Sequence, residues 1–190
     1  MSSSAFANTS EPASGFNRWD IPVKMGLVIG LVSIIISVAN YTFVMDKSYI
    51  AFLVVTGLTF LVTIFLYGLT GARQRKAMGG FISLKDAFSA IFVAILISTL
   101  ISSVWGIIYA KWIDPNVTEK VKESTLAFME GMKVPQEKLD STAADLDKQL
   151  SESLKPGILI YNYAKSLVIM SIFGFICALI VKREPKQAMM

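Results

Sequence analysis

Residues 87–110, AFSAIFVAILISTLISSVWGIIYA, run for 24 positions without an Asp, Glu, Lys or Arg. An α-helix rises about 1.5 Å per residue, so about 20 residues cross a hydrocarbon core of about 30 Å. In lipid the backbone must satisfy its own N–H and C=O groups, which a helix does within one segment. Two further uncharged stretches, Met25 to Met45 and Tyr49 to Ala72, qualify on the same terms. A fourth, Ser166 to Val181, is long enough only if its helix begins near Ile158 and carries Lys165 inside it. The expected fold is all-α: a polytopic membrane protein with four transmembrane helices.

Composition agrees, with 54% of the 190 residues hydrophobic and 17% charged. The formal charge of +4 could point to nucleic acid, but the basic residues gather beside the apolar spans, where membrane lipid headgroups are the expected partners. No nucleic-acid partner is expected. Histidine is missing and Cys177 is the single cysteine, which excludes intrachain disulfides, Cys or His zinc sites and His-based acid and base chemistry. No cofactor is expected. Although Ser37-Val38-Ala39 resembles a signal-peptide cleavage site, the polar leader and the 21-residue apolar run exceed what such segments carry, and the first helix is expected to be retained.

Five regions result: a leader, 1–24, with Ser2 to Ser14 read as disordered; three helices in 25–111; a charged segment, 112–157; a fourth helix, 158–182; and a tail, 183–190. Arg18, Lys24, Arg73, Arg75, Lys76, Lys85, Lys182, Arg183 and Lys186 fall on one side of the spans, against Lys47 on the other. The positive-inside rule therefore places both termini in the cytoplasm and 112–157 outside. Tyr41, Tyr49, Trp105, Tyr109, Trp112, Tyr161 and Tyr163 are expected as an outer aromatic belt, with 105, 109 and 112 on one helical face, and Trp19 and Tyr67 as the inner belt.

Ser83 with Asp86 three residues on reads as a capping box opening the third helix, after a chain loosened by Gly79 and Gly80. The charged segment carries two amphipathic patterns, Val117 to Met132 and Leu139 to Leu154. Asp114-Pro115 is expected to cap the first, Gly131 to Pro135 to separate them, and Pro156-Gly157 to end the second. The product is an outer helical hairpin.

Helix association in lipid relies on close packing and interhelical polar contacts. Gly26, Gly30, Ser33 and Ser37 in the first helix, Ala94, Ser98 and Ser102 in the third, and Gly174 in the fourth are expected to form the packing seams. The same hydroxyls, with Asn40, could instead line a polar path. Lys165 and Asn162 mark a further polar site, because an ionisable residue within a span suggests function. The plainer alternative is that Lys165 snorkels to the headgroups. No carboxylate lies deep in a span, and no phosphate loop, nucleophile elbow or metal-binding helix is present, so an enzyme is not expected.

The run Gly80-Phe-Ile-Ser-Leu-Lys-Asp-Ala-Phe88, the Trp112-Ile-Asp-Pro115 turn, the charged stretch with Glu119, Lys120 and Glu123, and a last apolar helix ending in Lys182-Arg183 resemble bacterial membrane proteins called "domain of unknown function 4199". The resemblance implies a bacterial cytoplasmic membrane and an uncleaved first helix, and it carries no activity or catalytic residue. The expected role is that of a noncatalytic accessory or scaffold protein, contacting another protein or a second copy of itself through the outer hairpin. The alternative is a small oligomeric transporter or channel, with Ser37, Asn40, Ser98, Ser102 and Lys165 along its path.

Overall fold

The computed structural model describes residues 17–45, 48–152 and 155–184, and of residues 150 and 151 the backbone only. The serine-rich leader, the Asp46-Lys47 turn, Leu154 and Lys186 lie outside these residues. Six helices succeed one another: α1 (Asp20–Ala39), α2 (Tyr49–Ala77), α3 (Leu84–Ile108), α4 (Val117–Gly131), α5 (Gln136–Glu152) and α6 (Pro156–Val181). α1 and α3 each run on into one π-helical turn, Asn40–Val44 and Tyr109–Ile113. With those turns included, α1, α2, α3 and α6 are long and apolar enough to cross a membrane. Among the described residues there is no strand beyond an isolated antiparallel bridge between Ile82 and Arg183.

Several boundaries move from their expected places. α2 continues to Ala77, so Arg75 and Lys76 sit in its last turn, where cations complement the carbonyl end of the helix dipole. Gly79 and Gly80 fix the chain rather than loosen it. Their φ angles are 83° and 92°, and their N–H groups donate to Lys76 O and Arg75 O, a Schellman ending that a Cβ at the left-handed position would disfavour. Ser83 caps α3 as its spacing suggested: Asp86 N–H donates to Ser83 Oγ at 3.1 Å, and the hydroxyl donates to Asp86 Oδ2 at 2.7 Å.

Asp114 is not the cap of α4. Its N–H donates back to Tyr109 O, closing the π-turn, while its carbonyl accepts from Val117 N–H, so Asp114 links the two helices. Its side chain instead accepts from Asn116 N–H at 3.1 Å, and α4 starts after Asn116. Pro156 likewise opens α6 rather than closing α5, sitting at the first helical position where its missing N–H is harmless. α6 thereby gains the length that Ser166 to Val181 lacked.

α3 is the hub, packing on α1, α2 and α6, while α2 also packs on α1 and α6. α2 and α3 thus form the short diagonal of the bundle. One end gathers the basic residues. Gln74 Nε2 donates to Arg18 O at 2.9 Å, Arg75 donates to Val181 O at 3.0 Å, and Arg18 pairs with Asp86 at 3.2 Å. The adjoining half is packed through Ile29, Ile91, Ala94, Ile95, Cys177 and Ala178. At the opposite end α4 is seated on the bundle through Tyr49, which hydrogen-bonds Thr125 at 2.8 Å and lies against Phe128. α5 packs on α4, and Lys122 of α4 pairs with Asp147 of α5.

Candidate functional site

Between the packed basic half and the end carrying α4, the helices separate around a chamber of about 430 Å³. Its floor is the hydrogen bond between Tyr67 of α2 and Ser98 of α3, 2.8 Å long and buried. Above it α2 contributes Thr56, Thr59 and Thr63, α3 contributes Thr99, Ser102 and Ser103, α1 contributes Ser33, Ser37 and Asn40, and α6 contributes Ser166. Among the described residues no acidic or basic side chain lines it. A second cavity of about 530 Å³ shares Ser33, Ser37, Tyr41, Thr59 and Ser102 with the first and continues to Val117, Thr118 and Val121 of α4. α4 therefore forms part of the wall.

The wall has a definite polarity. Thr56, Thr59, Thr63 and Ser98 donate their hydroxyl protons to carbonyls one turn back in their own helices, at 2.7–2.8 Å. A hydroxyl so engaged keeps its acceptor lone pairs for something else. Asn40, 5% exposed, donates through Nδ2 to Thr56 Oγ1 at 3.0 Å and to Phe52 O at 3.4 Å, while its Oδ1 has no partner among the described residues. On the far side Trp105 Nε1 is a buried donor without an acceptor. Tyr41, Phe52, Trp105, Tyr109, Met45 and Val117 close over the top, with the Tyr41 and Tyr109 rings 5.4 Å apart.

The packing residues read from the sequence divide into two groups. Gly26 and Gly30 face α3 so closely that an added Cβ would lie 2.9 Å from Ile97 Cβ and from Ile101 Cδ1, and at Gly174 it would lie 2.6 Å from Ile95 Cδ1. Ala94 is fully buried on that seam. Ser33, Ser37, Ser98 and Ser102 line the chamber instead. Asn40 joins them, but Asn162 and Lys165 are exposed and lie outside its wall, so the three polar residues grouped by sequence are not brought together.

Three features escaped the sequence reading. Thr56, Thr59 and Thr63 recur at helical spacing, a signal that was there to be read. The π-turns leave no such trace. By inserting a residue, the turn at Tyr109–Ile113 rotates the chain beyond it, so Tyr109 is buried while Trp112 is 74% exposed and the expected common face of 105, 109 and 112 is lost. Tyr41, Tyr49, Trp105 and Tyr109 turn inward as a roof, and Tyr67, expected at the inner interface, is a buried residue of the chamber floor. Among the described residues no cluster of three or more Cys, His, Asp or Glu stands together as a metal site.

A bundle of four apolar, membrane-length helices around an uncharged polar chamber defines a multi-pass helical membrane protein. The chain belongs to the family described as "Protein of unknown function (DUF4199)", whose model matches residues 24–183. No curated protein and no solved structure matches it.

Proposed function

We propose that this protein is a noncatalytic accessory or scaffold component of a bacterial cytoplasmic membrane, with both termini cytoplasmic and α4–α5 forming an outer hairpin that contacts a partner protein or a second copy. The orientation rests on the basic residues gathered at one end. One observation carries the role: α4 is anchored to the bundle by Tyr49, whereas α5 is held chiefly by α4 and turns Glu137, Asp140 and Asp145 to solvent. A helix held away from the bundle with a charged face is suited to docking another molecule. Replacing residues 117–154 by a flexible linker is expected to remove copurifying partners from native membranes or to change the oligomeric state. Retention of both would defeat the reading.

The chamber favours a second reading, a small transporter or channel acting as an oligomer. Lys165 lies outside the wall and cannot serve as its ion-binding group in this arrangement. The floor and the packed half below it close the path, so passage needs a second conformation in which Tyr67 and Ser98 part. Reconstituted vesicles test this directly, and an absence of flux of any ion or neutral solute in both the parent and Tyr67→Phe would remove it.

A further inference from the structure

We propose that the chamber is a binding site for an uncharged, hydroxyl-bearing head of an amphiphile that enters from the lipid phase, of the kind a diacylglycerol carries. The chemical class is set by the groups that the wall leaves unsatisfied. Asn40 Oδ1 is buried and without a partner among the described residues, and the Thr59 and Thr63 hydroxyls have already committed their protons to their own helix, leaving their lone pairs facing the chamber. These groups ask for a hydrogen-bond donor. The partnerless Trp105 Nε1, in the aromatic roof, asks for an acceptor. A hydroxyl supplies both.

A cation would also suit the acceptors, but among the described residues the wall holds no carboxylate to offset the cost of desolvating it. An anion would meet mostly acceptors. Neutrality is what remains. The amphiphilic character comes from the walls and their depth. The chamber and its continuation are only partly enclosed, and their lining residues Ser102 and Gly106 of α3 and Ser166 of α6 are exposed within helices long enough to span lipid, so access between the helices lies at the depth of acyl chains. Both π-turns border this space, at Asn40–Tyr41 and Tyr109–Ala110, and such turns recur where a helix has been opened for a functional site. The inference stands apart from the hairpin's partner and survives if none is found.

The test uses the full chain in phosphatidylcholine nanodiscs with Trp19→Phe and Trp112→Phe, two exposed positions, so that Trp105 is the one remaining tryptophan. The first probe is dioleoylglycerol with a diazirine in its acyl chain, and the second is free glycerol. The lipid probe is expected to label segments 33–41 and 98–106 and to shift Trp105 emission to the blue. Asn40→Leu, which removes the orphan acceptor, is expected to weaken labelling about tenfold. Because Asn40 also braces Thr56, a second variant keeps the question open to refutation. Gly106 lines the continuation, an added Cβ there meets no atom within 4 Å, and Gly106→Phe is expected to fill that space beside Trp105 and abolish labelling in a folded protein. A response to glycerol alone would uphold hydroxyl recognition and overturn entry from lipid. If neither probe moves Trp105 or labels these segments, water alone fills the chamber and the inference fails.

Discussion

The two halves of this bundle are built from similar residues to opposite ends. In the half next to the basic end, Gly26, Gly30, Gly71 and Gly174 let neighbouring helices approach until Ile91, Ile95, Ile97 and Ile101 fill the space between them. In the other half, small residues at the same helical spacing, Ser33, Ser37, Ser102 and Gly106, face open space. Lipid is as apolar as an isoleucine side chain, so burial as such does not favour one arrangement over the other. What differs is the partner across the gap. Where a small residue meets a branched aliphatic chain, the surfaces interlock. Where it meets another hydroxyl-bearing residue, the volume is left over, and the polar groups around it keep it hydrated or occupied.

The sharpest way to break this contrast is to put the same side chain into both halves. Gly26→Leu drives its Cβ against Ile97 Cβ at 2.9 Å and the Ala94 carbonyl oxygen at 3.0 Å, and backbone cannot step aside as a side-chain tip can. A loss of about 3 kcal/mol is expected, at the upper end of overpacking penalties. Gly106→Leu meets no neighbour and is expected to lie within about 0.5 kcal/mol of the parent, as an open-surface substitution does. Thermal unfolding in the same detergent reads both. Equal losses would mean that the chamber is closed up and that the halves do not differ.

The seat of α4 comes next. Tyr49 stacks on Phe52, leans on Phe128 and hydrogen-bonds Thr125, so Tyr49→Ala removes an aromatic contact set together with a hydrogen bond. A cost of about 2 kcal/mol is expected, most of it local to α4 and α5. Amide hydrogen exchange should therefore quicken in 117–152 while α3 next to Gly26 stays protected. Uniform deprotection would show that the two ends form one cooperative unit. Tyr67→Phe acts at the boundary between the halves, deleting the hydroxyl that bridges α2 and α3. Interhelical hydrogen bonds in membranes contribute about 0.6 kcal/mol on average, and a loss of that size is expected in an unfolding titration. Ser98 still donates to Ala94 O after the change, which keeps the cost small.

How much of this architecture is legible in the sequence depends on what a residue's position reveals. Three of the four spans are written in charge-free length and the fourth in a run broken by Lys165, and Gly26, Gly30 and Gly174 are written in spacing, because one helix fixes its own period. The chamber is only half written. Its hydroxyls are visible as stripes, but a stripe of Ser and Gly reads the same whether it meets Ile101 across the gap or Thr59. That identity belongs to the neighbouring helix and its rotation. The π-turns are hidden for a related reason: a single inserted residue changes the rotation of everything after it while leaving hydropathy unchanged. Tyr109 and Trp112, three residues apart, consequently part company. Lys165 misleads in the other direction. Its charge draws attention, but the side chain is exposed and lies outside the chamber wall, and Lys165→Met is expected to leave stability unchanged within about 0.5 kcal/mol.

An effect confined to one turn, and silent in global unfolding, separates the two ends. α2 and α4 close with the same Schellman arrangement. At the basic end its left-handed position is Gly79, φ 83°, and between α4 and α5 it is Lys133, φ 58°, whose N–H donates to Glu130 O while Val134 N–H donates to Met129 O. A side chain at that position strains against its own carbonyl by about 1 kcal/mol, and glycine does not. Lys133→Gly is thus expected to stabilise the α4–α5 turn by somewhat less than about 1 kcal/mol, because glycine also gains entropy in the unfolded chain. The gain should show as slower amide exchange at Lys133 and Val134 with no change in global unfolding, since the packed half sets the latter. A matching rise in global stability would tie the turn to the core of the bundle, and would mean that the basic half does not by itself decide when the protein unfolds.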